Sequence, residues 1–130
     1  MTDRDCVFCQ IIASGKCEMG YYAASFEPLH PVVPGHLLVV SLRHVPDALA
    51  DVNVTARTML EAVLAAKRKN LAPCNIMTSV GAEATQSVFH LHIHIVPRTP
   101  GDGLMLPWTG QQAMDAGVLA DATPGAGDRR

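Results

Sequence analysis

Three of the chain's six histidines lie in one short run, Val88-Phe89-His90-Leu91-His92-Ile93-His94-Ile95-Val96. The alternation has the period of a β-strand. His90, His92 and His94 therefore share one face, and Phe89, Leu91, Ile93 and Ile95 pack into the core from the other. Two chemistries suit such a row. His-x-His on a strand can chelate zinc when further ligands join it. The next acid after His94 is Asp102, beyond Pro97 and Pro100. The other chemistry is nucleophilic: a neutral imidazole attacks phosphorus while its neighbours bind phosphoryl oxygen or pass a proton. Same-face residues on a strand stand about 6.7 Å apart along the backbone, a spacing that suits either use.

A second reactive pair is Cys6 and Cys9, a C-x-x-C at the start of the chain. Such a spacing reads as a metal site or free thiols before it reads as a disulfide. Cys17 and Cys74 have no cysteine or histidine close in sequence and read as buried thiols.

The elements that must position these groups follow from pattern. Residues 7–13 are apolar and end at Ser14-Gly15, which suits a short helix. Residues 21–26 read as extended, and the three prolines of 27–34 make that segment irregular. Residues 37–42 and 75–80 read as strands, with 88–96 the strongest strand. The best helix spans 54–69, with Asp51 or Asn53 as its cap. Ala56, Met59, Leu60, Val63 and Leu64 give its apolar spacing, Lys67, Arg68 and Lys69 its solvated end, and Pro73 its stop. Residues 81–86 read as a polar loop and 120–130 as a tail.

The chain has 130 residues, enough for one domain. Ten basic against twelve acidic residues give a formal charge of −2, which argues against a nucleic-acid surface. Only 17% of residues are charged, which makes self-association plausible. Apolar runs fall far short of the ~20 residues a membrane span needs, and residues 1–5 carry no signal-peptide pattern. A cytoplasmic protein without membrane partners is expected.

The run His90-Leu91-His92-Ile93-His94-Ile95-Val96 matches the His-φ-His-φ-His-φ-φ signature of histidine triad (HIT) proteins. Four further segments resemble the same family: Cys6-Val7-Phe8-Cys9-Gln10-Ile11-Ile12-Ala13, Pro34-Gly35-His36-Leu37-Leu38-Val39-Val40, Gln86-Ser87-Val88-Phe89, and Pro97-Arg98 with Gly101-Asp102-Gly103. Together they span roughly residues 6 to 108. The resemblance implies an α+β fold, mainly a five-stranded antiparallel sheet with one long helix and a short N-terminal helix, over residues 1–110, with a C-terminal extension over 111–130. It implies a homodimer. It also implies nucleotide hydrolase or nucleotidyl transferase chemistry at an α-phosphorus, on a dinucleoside polyphosphate, a nucleoside phosphoramidate or a similar conjugate.

Residue by residue, the resemblance makes His92 the nucleophile. His94 contacts phosphate and leaving group, and Gln86 and Ser87 hold phosphate or bridging oxygen. Glu27, Leu29, His36 and Ser79 fall at substrate-binding positions. A zinc-containing subset of the family, with the related galactose-1-phosphate uridylyltransferases, is similar to this chain in its C-x-x-C. By that likeness Cys6, Cys9, His44 and His90 form a closed, structural zinc site. The chain departs from the family at three places. Pro28 stands where many members carry a ribose-binding Asp, with Glu27 one residue earlier. Ser79 stands where an Asn is common, and residues 15–31 are shorter than usual. Trp108 is a candidate for stacking on a base or covering the dimer seam, and His30 reads as exposed and without a role. Two other readings compete: a non-catalytic nucleotide-binding module with this fold, and a metal-dependent hydrolase that uses the triad as ligands.

Overall fold

Helix α1, Val7–Ser14, forms where residues 7–13 predict one. Cys6 caps it by accepting the Cys9 N–H on Sγ at 3.5 Å. Gly15 ends it at φ 75°, a left-handed conformation that costs glycine little. The strands are β1 Glu18–Met19, β2 Ala23–Phe26, β3 Leu37–Ser41, β4 Cys74–Met77 and β5 His92–Pro97, with helix α2, Val52–Arg68, between β3 and β4. A single 3-10 turn, Ala82–Ala84, lies in the polar loop. The computed structural model describes residues 3–106. Met1–Thr99 is one compact unit, and a second begins at Pro100. Trp108 and the expected extension over 111–130 lie outside the described residues.

All pairings in the sheet are antiparallel, in the order β1-β2-β3-β5-β4. Strand alternation gives the sheet two different faces. Leu37, Val39, Ile93 and Ile95 pack under Ala62, Ala65 and Ala66 of α2. Leu38, Val40 and Ala24 pack with Phe8 of α1. The register pairs Leu38 with His94 and Val40 with His92, so these histidines lie on the α1 face. Among the described residues, no helix is long and apolar enough to cross a membrane.

Asp51 caps α2, its Oδ1 accepting the N–H groups of Asn53 and Val54 at 3.0 and 3.1 Å. The helix ends at Arg68, and Asn70, φ 55°, turns the chain so that the Leu71 N–H returns to the Ala66 carbonyl at 3.0 Å. Its end thus lies within one residue of the expected 69, ahead of Pro73. Its buried side matches the expected stripe at Met59, which packs against the core, and differs from it elsewhere. Thr58, Ala62, Ala65 and Ala66 face the sheet, while Leu60, Val63 and Leu64 are 51%, 40% and 49% exposed. Small side chains allow the helix axis to approach the sheet closely, which leaves the larger aliphatic groups outside.

The histidine strand is corrected as well. Regular pairing begins at His92, not at Val88, and Phe89 is 49% exposed instead of in the core. Cys17 and Cys74 are half-buried free thiols. The β1–β2 turn is fastened to α2 by Glu61, whose carboxylate accepts the N–H groups of Tyr21 and Tyr22. Gly20 permits this contact, because a Cβ there would overlap the Glu61 carboxylate.

Candidate active site and metal centre

Helix α1, the segment after β3 and the segment before β5 bring Cys6, Cys9, His44 and His90 together. Their four ligand atoms all lie within 4.8 Å of one another. Cys6 Sγ is 3.3 Å from His90 Nδ1. Cys9 Sγ is 3.4 Å from His44 Nδ1 and 3.5 Å from His90 Nδ1. Around a tetrahedral ion with metal–sulfur and metal–nitrogen bonds near 2.3 and 2.05 Å, donor pairs stand roughly 3.3–3.8 Å apart. The observed separations are close to that shell.

The ring tautomers support the same reading. His90 Nε2 donates to the buried Ser41 carbonyl at 2.6 Å, so its Nδ1 carries a bare lone pair. His44 Nε2 faces the Asp3 carboxylate at 3.7 Å, which favours the proton there and a bare Nδ1. These two Nδ1 atoms are only 3.1 Å apart. Two facing lone pairs at that distance repel unless a cation lies between them. Burial pushes the Cys9 thiol above its ordinary value, so a thiolate there needs a compensating positive charge. The Asp3 N–H adds a donor to Cys9 Sγ at 3.4 Å. Two sulfurs and two imidazoles are a donor set that zinc takes, and the residues fit a closed structural site.

His92 is buried and held differently. Its Nδ1 donates to the His90 carbonyl at 2.7 Å. Burial lowers its pKa, so the ring is neutral and Nε2 is bare. Phe8 packs edge-on against it at 5.0 Å between centroids, and the Thr78 hydroxyl donates to its carbonyl at 2.7 Å.

His94 and His36 form a third arrangement. The Val32 N–H donates to His36 Nδ1 at 3.1 Å, which leaves the His36 proton on Nε2. That Nε2 donates to His94 Nδ1 at 3.0 Å. Burial, then the neighbouring His92 and His36, lower the His94 pKa to about 4. His94 is therefore neutral near pH 7, with its proton on Nε2. The sequence suggested that His36 is near the site; the structure puts it in direct contact with His94. The His92 and His94 rings are 5.2 Å apart, so a bare nitrogen and an N–H donor sit side by side.

The remaining expected residues are placed unevenly. Gln86 is buried and its amide braces the loop: Oε1 accepts the Gly81 N–H at 2.8 Å, and Nε2 donates to the Pro46 and Val88 carbonyls at 2.7 and 3.0 Å. Both N–H groups are thus used within the protein, and the amide shapes the approach to the row instead of reaching out from it. Ser87 is exposed and Ser79 is half-buried. Glu27 is exposed, close enough to His36 to act on it electrostatically, and Leu29 is 89% exposed on the irregular segment. Sequence reading missed Val32, Ser41, Thr78 and Asp3. Three of them act through backbone N–H or C=O groups, which leave no mark on residue type.

Residues 21–101 match the family model described as the HIT domain. The "Protein hit" of Bacillus subtilis is 33% identical over 115 residues, covering 81% of this chain and 79% of its own. The adenosine 5'-monophosphoramidase HNT1 of Saccharomyces cerevisiae is 30% identical over 122 residues, covering 85% and 73%. Among solved structures, a zinc-bound histidine triad family protein from Mycobacterium smegmatis is 29% identical, with a TM-score of 0.65, covering 82% of this chain and 86% of that one. The matched span takes in the whole histidine row and most of the sheet beneath it, and on these grounds the chain belongs to the histidine triad, or HIT, family.

Proposed function

We propose that the protein is a nucleotide hydrolase or nucleotidyl transferase. Its substrate class is a nucleotide conjugate, such as a nucleoside phosphoramidate or a dinucleoside polyphosphate, and the reaction occurs at the α-phosphorus. The observation that carries this reading is the bond from His92 Nδ1 to the His90 carbonyl, which leaves a neutral ring with Nε2 bare. In the first step Nε2 attacks phosphorus and the bond to the leaving group breaks. His94 Nε2–H donates a hydrogen bond to that group, which takes its proton from solvent water, and a nucleotidyl-histidine results. Water or another acceptor then attacks the same phosphorus and releases its proton to solvent, His94 Nε2–H again donates a hydrogen bond at the reacting oxygens, and His92 is released. His36 holds the His94 proton on the nitrogen that faces the reaction. The Ser87 hydroxyl and loop N–H groups stabilise the phosphoryl oxygens.

Cys6, Cys9, His44 and His90 hold one structural zinc ion, which neutralises the thiolates and ties α1 to the segment before the nucleophile. Glu27 is the candidate for the ribose hydroxyls, because Pro28 offers no side-chain acceptor. Leu29 and Ser79 complete the substrate positions. The chain forms a homodimer through the exposed Leu60, Val63 and Leu64 and the edge of β4, which carries Ile76 and pairs with no further strand among the described residues. Light scattering on purified protein checks that assembly.

Rapid-quench intact-mass analysis with a panel of nucleotide conjugates tests the enzymatic reading. A transient adduct of one nucleotidyl group on the wild-type chain is expected. Binding of the conjugates with neither adduct nor turnover would leave a binding module in its place.

A further inference from the structure

We infer that the hollow between α2 and the β1–β2 hairpin binds a small zwitterion, an amino acid with its ammonium and carboxylate at opposite ends of a short apolar chain. The hollow has a volume of about 250 Å³. It lies on the α2 face of the sheet, opposite the histidine row, and is separate from the nucleotide site proposed above. Its floor holds the group that calls for a ligand. The register sets Glu18, Ser25 and Val39 side by side across three strands, and Val39 packs under α2. Ser25 therefore faces α2 as well, and it lines the hollow. It is 7% exposed, and its hydroxyl has no hydrogen-bond partner among the described residues. A hydroxyl can donate one bond and accept two, and native structures seldom leave a buried one with none. The neighbouring Ala23 and Ala65 are too small to fill the space beside it.

The walls set the charges of the ligand. Glu61 and Arg68 both line the hollow from α2, two helical turns or about 10 Å apart along the axis. The Glu61 carboxylate accepts the Tyr21 and Tyr22 N–H groups, one on each oxygen, which leaves further lone pairs free. Arg68 makes no hydrogen bond or ion pair among the described residues and acts on Glu18 only through space. Glu18 itself is taken by Lys69 at 2.7 Å. One negative and one positive group thus remain uncommitted, with apolar Leu64, Ala65 and Val39 in the same lining. A simple anion would be opposed by Glu61 and a simple cation by Arg68. A zwitterion with an apolar middle satisfies both. Glu61 sits over the turn at Gly20, whereas Ser25 stands beside Glu18, at the Arg68 end. The Ser25 hydroxyl is accordingly placed to donate to the carboxylate that Arg68 attracts.

The test is isothermal titration of the purified full chain, in the oligomeric state it holds in solution, with γ-aminobutyrate, ε-aminocaproate, hexanoate and hexylamine. At least one of the two amino acids should bind with a Kd of about 1 mM or tighter. Hexanoate and hexylamine should bind at least about tenfold more weakly, since each lacks one charged contact. Arg68→Gln should weaken the amino acid on the order of 10- to 100-fold, and Ser25→Ala about fivefold or more. Without ligand, Ser25→Ala should keep the wild-type Tm, because no bond is lost. Failure of both amino acids to bind would overturn the inference. So would hexanoate or hexylamine binding as tightly as they do, or an affinity unmoved in either variant. A clear fall in the Tm of ligand-free Ser25→Ala would reveal a hydroxyl already partnered within the protein, and equally overturn it.

Discussion

Two clusters of imidazoles lie side by side on one face of the sheet, and the backbone uses them in opposite ways. Around His90 and His44 the Nε2 atoms are taken by the Ser41 carbonyl and the Asp3 carboxylate, so both Nδ1 lone pairs converge on one interior point. Two residues further along, the His90 carbonyl takes Nδ1 of His92 and leaves Nε2 bare. His94 is arranged differently again, with Nδ1 filled by the His36 proton and its own N–H left to donate. The same side chain thus presents converging lone pairs, a single bare nitrogen or an N–H donor according to which nitrogen is occupied. Neighbouring positions on one strand need not share a role.

The sharpest break of this contrast is His92→Asn, which removes the attacking nitrogen and keeps size and polarity. The adduct should vanish from intact-mass spectra and turnover should fall by at least about 10²–10⁴-fold, with the sheet intact. Near wild-type turnover on every conjugate would end the covalent mechanism. On the other cluster, elemental analysis should find one zinc per wild-type chain and none in Cys9→Ala. The substitution should also lower Tm by on the order of 10 °C, since loss of a metal is among the largest single-residue effects. Unchanged zinc and Tm would reduce the cluster to free thiols. A smaller loss is expected for His36→Asn, which takes the donor from His94 Nδ1. A drop in kcat of about tenfold, steeper for poorer leaving groups, should appear in rates across a leaving-group series.

The least effect concerns pH. His94 titrates at about 4 in the folded chain against an ordinary 6.5. Its contribution to stability is therefore present above pH 6.5 and is lost as pH falls from there toward 4. Partial exposure screens the effect, so urea midpoints between pH 7 and 5 should reveal a loss on the order of 1 kcal/mol. Replacement by Asn should flatten that slope.

Much of this was legible in the residues. Period-two alternation placed His92 and His94 on one face, and C-x-x-C marked the start of α1. The limits have physical causes. A hydrophobic stripe ranks Leu60 and Leu64 above Ala62 and Ala65, yet close packing of helix on sheet favours the smaller group. Alternation continued through Phe89 in the sequence, but strand pairing starts only at His92, because the segment before it is drawn toward Val45 and the cluster. The contacts that decide each histidine's role run to backbone atoms, as from His90 to Ser41 across 49 positions, and any residue type can supply those atoms.

Strand β5, which carries His92 and His94, has a paired neighbour on either side, β3 and β4. In terms of hydrogen exchange it belongs to the last part of the molecule to open, with amides that exchange only when the whole domain unfolds. The reactive row is accordingly a fixed anvil. If the protein turns over conjugates as proposed, the motion its cycle needs falls to the irregular chain around the row, residues 27–36 on one side and the loop of 81–88 on the other. The time needed to admit a conjugate and discharge its products would then be set in those segments, away from the atoms where bonds are made.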